Sequence, residues 1–364
     1  IYINDGKGNL TRLAEPLVFP ESVATGAVAI ADYDQDGDLD IFVGNRNSHQ
    51  LYGNPGSGYL FDNQGNNEYK LTDHPEFKNL GMITAAHWME VDGEEGPELL
   101  ITGEWMELSV WKQKGDSFEN ITASTGLKNT RGIWNQVLVA DFNNDGKNDI
   151  FAGNAGENTA LNNRHKLYIY DFDGNGQIEQ ILCETVDGKD YPVLDKDEMT
   201  SQLPGLRKKY LYYKDYAGAS MEDLFGESQL QKALVLSVHT PENELYFNNK
   251  GQFEKQPLPD VIQYASVHAA AAKDVNKDGV IDLLLGGNHY LVKPQFGRDD
   301  ASKGWLLKGL KKEDQYMFPT AVSLNLTGEI RNFEWVDSNE LLIGINNKQL
   351  VLYTFKAEAS NVLN

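Results

Sequence analysis

Four short stretches of this chain place oxygen-bearing side chains at alternate positions of what must be a tight turn. They follow the pattern D-x-[DN]-x-[DN]-G-x-x-[DE]. Loop one carries Asp32, Asp34, Asp36, Gly37 and Asp40; loop two carries Asp141, Asn143, Asp145, Gly146 and Asp149. Loop three has Asp171, Asp173, Asn175, Gly176 and Glu179, and loop four Asp274, Asn276, Asp278, Gly279 and Asp282. The chemistry that needs this spacing is calcium binding. A Ca²⁺ ion takes six to eight oxygens at about 2.3–2.6 Å, and a sharp turn can aim every second side chain at one point. The glycine permits the reversal. The residue after it (Asp38, Lys147, Gln177 or Val280) is expected to offer its backbone carbonyl, and the last acid to bind through both oxygens. An EF-hand needs flanking helices and a glutamate at its twelfth position, whereas here strands flank each loop and the last acid stands ninth. A degenerate copy, Glu90, Asp92, Glu94 and Glu98, lacks the glycine, which counts against metal there.

Composition agrees with such sites. The 364 residues hold 54 acidic against 32 basic side chains, a net charge of −22. That surface repels a phosphate backbone and argues against nucleic-acid binding. Four divalent cations would leave a charge of about −14. A lone cysteine, Cys183, rules out an internal disulfide. No run approaches the roughly 18 apolar residues of a membrane span. Calcium-filled weak sites favour an extracellular setting. The chain begins at Ile1, inside a repeat, and so reads as part of a longer chain whose signal or lipid anchor would lie upstream.

The elements that must position these loops come from a repeat. One unit is a small-and-apolar strand, the acidic turn, an apolar strand and Gly-Asn: GAVAIADYDQDGDLDIFVGN (26–45), NQVLVADFNNDGKNDIFAGN (135–154) and HAAAAKDVNKDGVIDLLLGGN (268–288). Worn copies lie at 85–105 and 330–347. A second unit, two strands around a Gly/Asn turn, occurs at 1–13, 59–71, 108–121 and 244–256, with another beginning at 305–310. Two hairpins make a four-stranded antiparallel blade, which must stack on its neighbours to bury both faces. The expected fold is therefore all-β, a single β-propeller domain over 1–364 with seven blades preferred and six possible. The hairpin at 165–184 is expected to complete the blade that holds loop two. Residues 195–232 read as a helical insertion, with helices over 197–203, 206–213 and 220–232 and a capping pair Ser220/Asp223, the blade resuming at 233–238. The strand at 350–355 is expected to close the ring with the 1–13 hairpin.

These units resemble the FG-GAP/VCBS repeats of integrin α-like propellers, and more particularly the large bacterial VCBS-repeat proteins typical of Bacteroidetes that often carry an ASPIC/UnbV domain. The resemblance rests on the loops together with GEWM (103–106), AGNAGENT (152–159), LYIYDFDGNGQIEQIL (167–182), YKDYAGASMEDLF (213–225) and GNHYLVKPQFGRDDASKG (287–304). No ASPIC/UnbV segment is visible. The resemblance implies secretion, often as a surface lipoprotein beside outer-membrane uptake machinery of the TonB-dependent kind. It also implies that the calcium loops are structural and lie away from the ligand face.

Function is then expected on uneven long connections, where binding residues usually sit on a rigid scaffold. Three stand out: 45–58, 289–304 and the region 187–232. His49, Tyr52, His289, Tyr290, Gln295, Phe296, Arg298 and Asp299 combine aromatic faces with hydrogen-bonding groups suited to a glycan, a peptide or a protein partner. Trp88, Trp105, Trp111 and Trp134 read as core, His87 and His268 as buried and satisfied, and Cys183 as inert. No nucleophile elbow, phosphate loop or H-E-x-x-H motif is present. The chain is thus read as a non-enzymatic binding module. The alternative is a calcium-dependent polysaccharide lyase using His289, Arg298 and Tyr290.

Overall fold

Each repeat folds as its alternation dictates. In the computed structural model, which describes residues 1–22, 24–47, 51–66, 68–94, 96–294, 297–313 and 315–355, strands dominate and helices are few and short. Blade one pairs Thr25–Ala31, Asp40–Asn45, Gly58–Asn63 and Tyr69–Leu71 in that order, all antiparallel. Blade two is built from Met82–Met89, Glu98–Met106, Ser109–Lys114 and Ser117–Asn120, with the short Gly132–Ile133 added to its second strand. Blade four follows the same plan with Val267–Lys273, Asp282–Gly287, Trp305–Lys312 and Gln315–Ser323. Blade five has three strands, Ile330–Trp335, Glu340–Ile345 and Val351–Thr354.

Blade three departs from expectation. It pairs Gln136–Ala140, Asp149–Gly153, Glu244–Asn249 and Gln252–Gln256. The hairpin at 165–184 does not complete it. His165–Tyr170 and Glu179–Val186 instead join Lys189–Pro192 and Leu234–Ser237 in a separate four-stranded sheet, inserted between the second and third strands of blade three. The stretch 233–238 therefore belongs to the insertion, and the blade resumes at Glu244. The reason is visible in the hydrogen bonds. The third strand of a blade must present a backbone N–H to the last acid of the loop, and Asn248 does so for Asp149 at 2.7 Å. The helical part of the insertion comprises Lys196–Gln202, a 3-10 turn at Pro204–Lys208, Tyr213–Tyr216, Met221–Phe225 and Glu227–Leu230. The Ser220/Asp223 capping box forms as expected, and a second, Asp195/Glu198, opens the first helix. The expected helix over 220–232 is broken at Gly226, whose φ is +79°.

The first strands of blades one to five pack against one another in chain order, giving a propeller-like arrangement with an apolar layer between each successive pair of blades. The glycines near the ends of the second strands of blades one, three and four have a physical cause. A Cβ on Gly44 would lie 2.4 Å from Ile83 of the next blade, one on Gly153 2.7 Å from the Val267 carbonyl, and one on Gly286 2.5 Å from Ile330. Only glycine admits the neighbouring strand so closely. The asparagines Asn45, Asn154 and Asn288 are buried and bind loop backbone, as when Asn288 Nδ2 donates to the Ser302 and Gly328 carbonyls.

The blade count and the closure also differ from expectation. Among the described residues there are seven sheets: five blades, the insertion and a separate two-stranded hairpin. Val351–Thr354 pairs with blade five alone, and the hairpin Tyr2–Asn4/Leu10–Arg12 pairs with itself alone. The outer face of blade one is covered by Leu17 and Phe19 from the connecting segment.

Candidate functional site

The four acidic loops share one internal architecture. In each, the glycine N–H donates to the first aspartate: Gly37 to Asp32 (3.0 Å), Gly146 to Asp141 (2.8 Å), Gly176 to Asp171 (2.8 Å) and Gly279 to Asp274 (2.9 Å). The next N–H, that of Asp38, Lys147, Gln177 or Val280, donates to the fifth side chain, Asp36, Asp145, Asn175 or Asp278. The fourth residue, Gln35, Asn144, Gly174 or Lys277, takes a left-handed φ of 54–73°. Each loop thus turns through two left-handed residues, and the motif marks only the second with glycine. Carboxylate oxygens of Asp32, Asp34 and Asp36 lie within 4.8 Å of one another, as do those of Asp171, Asp173 and Glu179. In loops two and four Asn143 and Asn276 supply neutral oxygens in place of one acid, beside Asp141/Asp145 and Asp274/Asp278. These donor sets fit a hard cation.

The last acid of each loop has a further role. Asp40, Asp149 and Asp282 are fully buried, and each accepts two backbone N–H groups. One comes from the second loop residue (Tyr33, Phe142 or Val275) and one from the third strand (Asn63, Asn248 or Gly309). Glu179 accepts from Phe172. The expected bidentate ligand is thus first a clip between the loop and the blade, and a cation would share oxygens already engaged. Burial pushes the Asp40 carboxyl up to about 6 and that of Asp149 up to about 7.

The degenerate loop of blade two is assembled as well. Oxygens of Glu90, Asp92 and Glu98 lie within 4.8 Å of one another. A cation is already there: Lys112 Nζ lies 2.5 Å from Asp92, 2.9 Å from Glu94 and 3.1 Å from the wholly buried Glu98. Burial works against the charge on Lys112, but the three carboxylates outweigh it and hold the ammonium protonated above its usual range. The sequence reading weighed the missing glycine and overlooked the lysine two strands away.

The loops lie where first strands end and second strands begin. At the opposite ends of those strands a cavity of about 920 Å³ opens on the axis. Tyr52, His289, Arg298 and Asp299, expected as ligand residues from two connections over 230 positions apart, all line it. Tyr290 lies under Arg298, whose guanidinium stacks on its ring at 3.7 Å. His49, Gln295 and Phe296 fall outside the described residues. The inserted sheet adds Leu182 to the wall and the segment leading into it adds Leu161, and Lys293 reaches the insertion through an ion pair to Glu198 at 2.5 Å.

Five charged or titratable lining residues were not expected at a ligand site: Arg46, Glu104, His268, Lys293 and Arg331. A signal existed. Arg46 and His289 directly follow the signature Asn45 and Asn288, and Glu104 follows Gly103 in the worn copy, so position relative to the signature marks the axial mouth. Arg46 pairs with Glu104, and Arg331 with Glu329. Tyr52 Oη accepts from Trp105 Nε1 at 3.0 Å, and burial, reinforced by Glu104, keeps its hydroxyl protonated far above the usual range. Trp105 holds a left-handed φ of +61°, uncommon for a non-glycine and typical of sites that shape a ligand surface. Asp299 Oδ2 accepts from Ser266 N and Oγ, while its Oδ1 is buried without a partner. His268 is not the satisfied histidine expected. Its Nε2 is buried and unpartnered, its ring meets His289 edge-on at 6.1 Å, and burial, aided by Arg331, pushes its pKa down to about 3. Trp105, Trp111 and Trp134 are core as expected, with Trp88 half-buried beside them, and Cys183 is buried with its thiol pushed up.

No curated protein matches the chain. A family model described as an FG-GAP-like repeat matches residues 1–43 and 90–152. The first stretch runs from the N-terminal hairpin through loop one into the second strand of blade one, and the second from the lysine-filled loop through loop two. The chain carries FG-GAP-like repeats, which support an FG-GAP repeat protein of the β-propeller type.

Proposed function

We propose that this chain is a secreted or cell-surface binding module in which calcium-filled loops stiffen the blades and the axial cavity holds a glycan or peptide ligand. One observation carries the reading. Two long connections far apart in sequence, and the sheet inserted in blade three, meet at a single cavity on the side away from the acidic loops. The cavity offers a stacked, exposed guanidinium (Arg298), imidazole (His289) and a fixed phenol (Tyr52), groups that recognise hydroxyls and carboxylates. The repeat resemblance supports display at the outer surface, as an accessory lipoprotein of a TonB-dependent uptake complex. Titration of glycan and peptide panels into calcium-loaded protein tests the reading. Binding that falls about tenfold in Arg298→Ala, with unchanged melting, is expected; a panel without any binder overturns it. A polysaccharide lyase using His289, Arg298 and Tyr290 is the second reading; Tyr290 lies under Arg298, and the tyrosine that lines the cavity with His289 and Arg298 is Tyr52. The held proton on Tyr52 weighs against it, and unsaturated product on incubation with uronate polysaccharides would establish it.

A further inference from the structure

Residues 207–214 read Arg-Lys-Lys-Tyr-Leu-Tyr-Tyr-Lys: four cations and no acid, in a chain of net charge −22. The fold uses one of these charges, Lys209, whose Nζ donates to the Asp223 carbonyl at 2.5 Å and lies 5.1 Å from the Tyr210 ring; Arg207, Lys208 and Lys214 remain for an outside partner. The segment runs from the 3-10 turn Pro204–Lys208 into the helix Tyr213–Tyr216 and is held from behind. Tyr210 and Tyr216 are buried, with their rings edge-to-face at 6.0 Å. Tyr216 Oη donates to the Leu194 carbonyl at 2.8 Å, and Tyr210 Oη to that of Asp223 at 3.3 Å. What these anchors present outward is apolar: Leu211 is 68% exposed, Tyr212 64% and Tyr213 53%. Arg207, Lys208, Lys209 and Lys214 are exposed around them. Lys214 Nζ lies 5.7 Å from the Tyr212 ring and Lys196 Nζ 5.1 Å from the Tyr213 ring. The acids around the strip are Asp215, which follows it, Asp197, which accepts from Tyr213 Oη at 2.6 Å, Asp195 and Glu198 on the same side as Asp197, and Asp223 beside Lys209.

We propose that this strip docks the protein on an anionic lipid surface. Two features select that partner. Cations encircling exposed leucine and tyrosine match the layered chemistry of a charged headgroup plane over an apolar boundary, where tyrosine is at home. The strip is also only eight residues long. That is small against the roughly 800 Å² per partner of a standard protein interface, while a lipid surface needs no complementary groove. The helix Lys196–Gln202 beside it carries Glu198, the ion-pair partner of Lys293 in the cavity wall. Docking here would therefore hold the axial cavity at a fixed attitude to the membrane.

The test is vesicle co-sedimentation of the whole chain with phosphatidylglycerol/phosphatidylcholine vesicles and with phosphatidylcholine alone, each in chelator so that calcium cannot bridge the acidic loops to lipid. Binding to the anionic vesicles alone, weakened by salt, is expected. The Lys208→Glu/Lys214→Glu variant and the Leu211→Ser/Tyr212→Ser variant should each lose about tenfold or more in partitioning while melting like wild type. Equal binding to neutral vesicles, no binding to anionic ones, or undiminished binding by both variants overturns the proposal. Soluble polyglutamate held by the strip in preference to vesicles also overturns it, in favour of an acidic protein partner.

Discussion

Lys112→Met tests whether an ammonium replaces the metal in blade two. The substitution keeps most of the side-chain stem and removes the charge that Asp92, Glu94 and Glu98 share. Breaking a buried ion pair by removing one partner costs about 3–5 kcal/mol. Glu98 is wholly buried, so it carries that term. Asp92 and Glu94, 29% and 74% exposed, add at most about 1 kcal/mol because solvent screens them. Burial already pushes the Glu98 carboxyl up, so it can take a proton and cap the loss near the lower bound, about 3 kcal/mol. For a chain of this size that is about 4 °C of melting temperature in chelator. The vacated acids should then accept a divalent cation. Millimolar calcium should recover most of the loss, and the variant should bind one calcium more than wild type by metal analysis. If Lys112→Met melts with wild type in chelator and gains no calcium, the lysine is not the cation of this loop.

Chelation of the wild-type protein should lower its melting temperature by many degrees, since unneutralised carboxylates in four loops repel one another; unchanged melting and no metal by elemental analysis would remove the calcium reading. Asp149→Asn should destabilise by about 2–4 kcal/mol even in chelator, because the amide offers one acceptor where two N–H groups require one each; a loss seen only with calcium present would reduce Asp149 to a ligand. His268, pushed down to about 3 from 6.5, gives stability that is full above pH 6.5 and is lost as pH falls toward 3. His268→Gln should therefore show a shallower drop in melting temperature between pH 7 and pH 4 than wild type, and parallel curves would contradict the assignment.

Much of this was legible because repeats print the same physics several times. The acidic turns, their flanking strands, the core tryptophans and the cavity-lining residues Tyr52, His289, Arg298 and Asp299 all follow from local pattern and loop length. What could not be read was pairing at a distance. Hairpin 165–184 alternates as well as Glu244–Asn249 does, and nothing local says which meets Asp149. The choice lies in an N–H contact spanning 99 positions. Lys112 was missed for the same reason, since it sits on the third strand while its acids lie in the turn before the second and at that strand's first residue. Ring closure was argued from edge avoidance, and the five described blades do not supply it.

The insertion in blade three bears on the order of events during synthesis. Blades one and two close from neighbouring hairpins as soon as they are made. Blade three must wait, because its third strand is about 90 residues downstream of its second. At ribosomal speeds of about 5–20 residues per second that is roughly 5–20 s with an unpaired strand edge exposed. The inserted sheet starts from local hairpins, His165–Tyr170 with Glu179–Val186 and then Lys189–Pro192, and has its own apolar cluster; it can form first, and its return strand Leu234–Ser237 beside His165–Tyr170 draws the two ends together, shortening the loop left to close. An element that looks like an interruption of the propeller would then act as the chaperone of the blade it divides. Pulse-labelled hydrogen exchange should find His165–Tyr170 protected before Glu244–Asn249.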